Sequence, residues 1–140
     1  MSVLKLLRRD QRGAAAIEFA IAVPVLVVMI YGIFQVGLIY EANAGMQHAL
    51  GEGARLATLC TPSGNACTSP SDTAIVAKMN EKKFGANIGT LGTPTVAIPA
   101  SSACVFCRDL SITYTVTPNF LFFTASPVSI TRTKRVYVAH

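Results

Sequence analysis

Charge is scarce in this sequence. Only 14% of its 140 residues are Asp, Glu, Lys or Arg, against roughly a quarter in ordinary soluble domains. The shortage is uneven, because no charged side chain occurs over the 22 positions from Phe19 to Tyr40. Histidine is rarer still. His48 and His140 stand alone, without the partner spacing that metal binding or nucleophilic catalysis needs. No Ser/His/Asp set, phosphate loop or pair of carboxylates emerges. No enzyme activity, small-molecule substrate or cofactor is therefore expected. The net charge of +5 hints at nucleic acid, but its placement argues otherwise. Lys5, Arg8, Arg9 and Arg12, opposed by Asp10, fall in the first thirteen residues, leaving eight cations against six anions elsewhere. Nucleic acid is not an expected partner.

What is present points to a membrane. A helix over the uncharged run rises about 33 Å, enough to cross a hydrocarbon core of about 30 Å. Lys and Arg ahead of it place the N-terminus in the cytoplasm and the remainder across the membrane. The competing reading is a secretory signal peptide, cleaved at Ala42-Asn43-Ala44 to release a binding module. Its apolar region would normally be shorter than this one.

Helical pattern continues beyond the run. Ala42, Met46, Ala49, Gly53 and Leu56 recur at spacings of three and four, a narrow stripe of small side chains. Glycines 45, 51 and 53 lower helix propensity, and a break there is possible. A loop follows from Cys60 to Asp72. A short helix is expected over Thr73–Phe84, with Asp72 or Thr73 as N-cap and Gly85 after it.

Strand signals come last. Thr95–Ile98 is brief and bracketed by Pro94 and Pro99. Asp109–Thr117 alternates fully, with Leu110, Ile112, Tyr114 and Val116 on the inner face. In Val128–Val138, Arg132 and Lys134 share a face with Ile130 and Val136, which suits a protected edge strand. The expectation is an α+β layout, with a long transmembrane helix continuing into a small head of one short helix and a three-stranded antiparallel sheet. Phe120-Leu-Phe-Phe123, between Pro118 and Pro127, is either a core plug or an exposed patch for a partner or a membrane surface.

Four cysteines fall in two close pairs, Cys60/Cys67 and Cys104/Cys107. Clustered in polar segments of a small domain, they suit disulfides in an oxidising compartment, with local pairing the simplest of three connectivities. Two alternatives stay open. Cys104-Val-Phe-Cys107 is a C-x-x-C spacing that serves redox chemistry at helix N-termini, and four cysteines can hold zinc.

The most specific feature introduces the apolar run. Arg12-Gly13-Ala14-Ala15-Ala16-Ile17-Glu18-Phe19 sets one carboxylate at the head of an otherwise uncharged span. An ordinary anchor has no use for it, since an ionised group at mid-membrane depth costs about 2.5–3.5 kcal/mol. Glycine, then glutamate at the fifth residue, then a long apolar helix resembles the type IV prepilin arrangement. The segment further resembles the TadE-like family of the tight-adherence (Flp) pilus system. The residues carrying that resemblance are Arg12–Phe19, Pro24-Val25-Leu26, Tyr31-Gly32-Ile33 and Gly53-Ala54-Arg55-Leu56-Ala57. It departs at Gln35, where members often carry Glu, and it thins out in the C-terminal half.

The resemblance implies a processing site between Gly13 and Ala14, cut by a prepilin peptidase, and a subunit-assembly role for Glu18. It implies a cytoplasmic leader over 1–13, a transmembrane helix over 14–40 and a pilin-like periplasmic head over 41–140. The implied partners are that peptidase, other pilins or pseudopilins and an inner-membrane assembly platform. The implied role is pilus or secretion-filament assembly, hence adhesion and biofilm formation. Major Flp pilins are far shorter, so the long segment after Leu59 suits a minor pseudopilin. An uncleaved membrane-anchored structural protein is the remaining alternative.

Overall fold

Side chains that are apolar on every side give a helix no polar face to turn toward water, and the first element begins that way. The computed structural model describes residues 12–63, 66–99, 104 and 106–138. Helix α1 runs unbroken over Arg12–Thr58, 47 residues including Pro24, and is roughly 70 Å long. Its N-terminal half packs against little else. Phe19, Ile21, Met29 and Phe34 are all more than half exposed, although they point in different directions.

From Ala42 onward α1 changes character. Ala42, Met46, Ala49, Leu50, Ala54 and Ala57 are buried. The buried face is thus wider than the single stripe read from the sequence, since a second row of Leu50, Ala54 and Ala57 runs beside the first. No break occurs at the glycines. Two of them are contact points instead. A Cβ on Gly45 would collide with the carbonyl of Phe84, and one on Gly53 would collide with the Met79 side chain.

The partner at Gly53 is helix α2, Asp72–Lys82, whose buried residues are Ile75 and Met79, and Gly45 meets the turn that follows it. Its N-cap is Ser71, not Asp72 or Thr73: the Ser71 hydroxyl accepts from the amide of Ala74 at 3.2 Å. Asp72 instead opens the first turn and receives Arg108 Nε at 3.3 Å, tying the helix to the sheet. The helix ends at Lys82, two residues before Phe84. The chain turns back at Gly85 (φ 86°), where an added Cβ would lie 2.8 Å from the Ala42 backbone. Positive φ and close approach both demand glycine there.

Between the helices lies a small hairpin, β1 (Thr61–Ser63) with β2 (Ala66–Thr68), which the sequence reading treated as loop. The main sheet holds four strands, one more than expected. They are β3 (Gly89–Leu91), β4 (Thr95–Ala97), β5 (Cys107–Val116) and β6 (Val128–Tyr137). The sheet is nevertheless only three strands wide. β6 pairs with one edge of β5 along its full length, while β3 and β4 share the other edge end to end.

The registers Leu91↔Tyr114 and Thr95↔Ser111 leave one extra residue on the β3–β4 side, the signature of a bulge. Pro94, with no amide hydrogen to give, sits at that interruption.

The inner face of β5 presents Leu110, Ile112, Tyr114 and Val116, all essentially fully buried against the helices. The outer face is a polar ladder. Thr113 meets Thr131 at 2.9 Å and Thr115 meets Ser129 at 3.0 Å through their hydroxyls. Arg135 grips Asp109 with two bonds of 2.7 and 2.8 Å.

Two outcomes follow from this packing. Gly45→Ala should destabilise the head by about 1–3 kcal/mol through overpacking. Gly51→Ala, with nothing within 4 Å of the new methyl, should stabilise it by up to about 1 kcal/mol through helix propensity. Thermal denaturation of the solubilised chain reads both.

A third outcome is a pH dependence. The hydrogen bonds from Arg135 hold the Asp109 carboxyl below its ordinary range. The stability they contribute is full above the unfolded-state pKa and fades as pH falls through the lower folded value. The difference in Tm between the native chain and Asp109→Asn should therefore shrink on acidification through the carboxylate range.

Candidate functional site

The candidate functional surface is the exposed apolar half of α1. Gly13, Ala14 and Glu18 all lie within its first two turns and all are exposed. A side chain at Gly13 would meet nothing within 4 Å among the described residues. Among the described residues, Glu18 has no ion-pair or hydrogen-bond partner. It borders a shallow apolar surface with Phe19, Ala22, Val25 and Met29. The leader up to residue 11 lies outside the described residues, as does the side chain of Arg12.

Glu18 thus lies beside a surface made of hydrocarbon with no partner among the described residues. It can pair with a cation brought by another chain, and the apolar surface around it would raise the strength of that pairing. The helix is long and apolar enough to cross a membrane, and its most apolar window is not buried within the protein at all.

One residue of this region was not singled out as a contact by sequence reasoning. Gln35 is the buried polar residue of the helix, 5% exposed between the exposed side chains of Phe34 and Val36. Its Nε2 donates to the carbonyl of Asn119 at 2.8 Å and to the Tyr31 hydroxyl at 3.1 Å. Its Oε1 has no partner among the described residues. Gln35 thereby fastens the β5–β6 connection to α1. The signal available in the sequence was a lone amide in an apolar run, which cannot remain unpaired where water is excluded.

The Phe120–Phe123 segment belongs to that connection. Phe120 is half-buried against α1, while Leu121, Phe122 and Phe123 are exposed. It is therefore mainly a surface patch and only at Phe120 a packing residue.

Cys104 and Cys107 are disulfide-bonded to each other, with Cys107 opening β5 and fully buried. The C-x-x-C thus leads into a strand and does not itself open a helix. Cys60 is also disulfide-bonded. The Cys67 side chain and His140 lie outside the described residues. Among the described residues no group of three or more His, Cys, Asp or Glu could hold a metal ion.

Residues 13–55 match the model of the family described as TadE-like protein. The matched stretch begins at Gly13 and ends inside the last turn of α1, so it covers the helix and none of the sheet. No curated protein and no solved structure matches the chain.

The Gln35 latch has a measurable consequence. Gln35→Ala removes two hydrogen bonds, of which a neutral one contributes about 0.5–1.5 kcal/mol. Amide hydrogen exchange over residues 119–124 should accelerate about fivefold for each kcal/mol lost, while exchange in β5 and α2 stays unchanged.

Proposed function

We propose that this chain is a single-pass, pilin-like subunit of a tight-adherence pilus system, a minor pseudopilin trimmed between Gly13 and Ala14. The observation that carries the reading is the coincidence of three features on one helix. The family match starts at Gly13, a lone exposed carboxylate follows at Glu18, and an exposed apolar surface long enough to span a bilayer comes next.

In this reading residues 1–13 form a cytoplasmic leader, 14–40 the transmembrane helix and 41–140 a periplasmic head. The chemistry runs from there. Cutting the Gly13–Ala14 bond exposes an α-amine with an ordinary pKa of about 7.7–8 at the head of the helix. When the apolar surfaces of several subunits pack side by side, Glu18 of one meets the Ala14 ammonium of another. Each charge is costly alone in a dry environment, and the pair neutralises both while fixing how far one helix slides along the next.

Before cleavage the helix continues into the basic leader and no amine is available, so the uncut chain stays a membrane anchor. The prepilin peptidase, other pilins or pseudopilins and an assembly platform in the inner membrane are the partners this scheme needs. Adhesion and biofilm formation would be its downstream outcome.

The decisive measurement is the mature N-terminus, read by mass spectrometry on protein from native membranes. A chain beginning at Ala14 is expected. A start at Gly45 would mean release by signal peptidase, and an intact Met1 in cells with an active prepilin peptidase would mean a permanent anchor. Either overturns the reading. Glu18→Gln should insert in the membrane normally yet enter filaments poorly, and undiminished incorporation would remove the ion-pair role.

A further inference from the structure

The eleven residues joining β5 to β6, between Val116 and Val128, far exceed the two to five of an ordinary hairpin loop. They carry no charge. They also run away from the head. Asn119 is bonded to Gln35, Phe120 lies 3.8 Å from where a Gly32 Cβ would be, and Phe122 faces Pro24, Val25, Val28 and Met29. Each step along the loop thus meets α1 closer to its N-terminus.

Depth follows from the helix rise. Val28 lies twelve residues before Tyr40, about 18 Å along the axis. That places Phe122 well inside a hydrocarbon core of about 30 Å.

We propose that residues 117–127 form a second membrane-inserted element. It is an aromatic wedge that lies beside α1 and buries Leu121, Phe122 and Phe123 among the acyl chains on the head's side of the bilayer. The inference rests on the spanning helix of the proposed function. Three observations identify lipid as the occupant.

The first is exposure. Leu121, Phe122 and Phe123 are 53%, 72% and 60% exposed, and burying a side chain of this size is worth about 1.5–3 kcal/mol.

The second is partial backbone satisfaction: three of the loop's nine amide hydrogens are bonded within it, which lowers the cost of entering hydrocarbon. The amide of Phe120 donates to the carbonyl of Phe123 at 2.8 Å, that of Phe122 to Phe120 at 2.6 Å and that of Ala125 to Pro118 at 2.8 Å. The Asn119 carbonyl is taken by Gln35, and Pro118 and Pro127 have no amide hydrogen to leave unpaired. Leu121 holds the turn at φ 62°, a position where glycine or asparagine is easier. A large apolar side chain there is costly for the fold and useful in lipid.

The third is the surrounding chemistry. Arg132 on β6 reaches Asn43 at 2.7 Å, three residues past the exposed Tyr40. An arginine and a tyrosine at that level match the headgroup zone of a bilayer.

The chain contains no tryptophan, so a single substitution gives a clean reporter. Phe122→Trp and, separately, Leu26→Trp are made in the full chain and reconstituted in phosphatidylcholine vesicles with bromine at defined acyl positions. Both tryptophans should emit blue-shifted light, and both should lose most of their intensity to bromines in the acyl chains.

A quenched Leu26→Trp beside a red-emitting, unquenched Phe122→Trp would overturn the wedge while leaving the spanning helix intact. Quenching of neither would overturn the spanning helix and the wedge with it. A blue-shifted Phe122→Trp that bromine does not reach would mean another copy of the chain covers the loop, again overturning the wedge. Phe123→Trp, at a second exposed position, supplies the same reading should Phe122→Trp fail to fold.

Discussion

A single unbroken helix that must satisfy two different solvents governs this molecule. Its first half is apolar all round, which water penalises and hydrocarbon accepts. Its second half carries small side chains on one broad face and polar ones on the other, which suits a core on one side and water on the other. Because the helix runs unbroken from Arg12 to Thr58, lacking only the amide bond that Pro24 cannot give, the two halves cannot reorient independently. Whatever holds the first half therefore sets the position of the head, and whatever pulls on the head is felt along the whole helix.

The head answers to this constraint in its choice of residues. Small side chains at Ala42, Gly45, Ala49 and Gly53 let α2 and the turn after it approach the helix backbone directly. The sheet then closes over the other flank through Leu110, Ile112, Tyr114 and Val116. A head of this size has little apolar area to bury, so close approach at small residues recovers contact that bulky ones would supply elsewhere. On β6 the inner face interrupts its apolar residues with Arg132 and Lys134. Arg132 hydrogen-bonds to Asn43 of the helix, which keeps that edge strand polar and unsuited to pairing with another chain.

Much of this was legible in advance because it depends on periodicity alone. The alternation from Leu110 to Val116 predicts a half-buried strand whatever surrounds it, and the uncharged run predicts a long apolar helix. Elsewhere local signals misled or were silent. Gly45 and Gly53 read as helix weaknesses, yet packing against Phe84 and Met79 makes them necessary. β3 is three residues beginning with glycine, too short to show a pattern, and it exists because the free edge of β5 offers it hydrogen bonds. Asp72 was an equally good N-cap by composition, and its engagement by Arg108 from a distant strand accompanies the shift of that role to Ser71.

The candidate site divides along the same line. Gly13, Ala14 and Glu18 stood out through a family resemblance, which is carried by their order along one helix and by the apolar run that follows. The contact between Gln35 and the connection that carries Phe120–Phe123 was not legible, since the bond from Gln35 to Asn119 joins positions 84 residues apart. By itself the sequence determined which stretches avoid water and which alternate, since those properties are local and additive. Only the tertiary structure decided where the β5–β6 connection lies. The direction of a loop depends on which distant surface satisfies its carbonyls, and composition does not encode that.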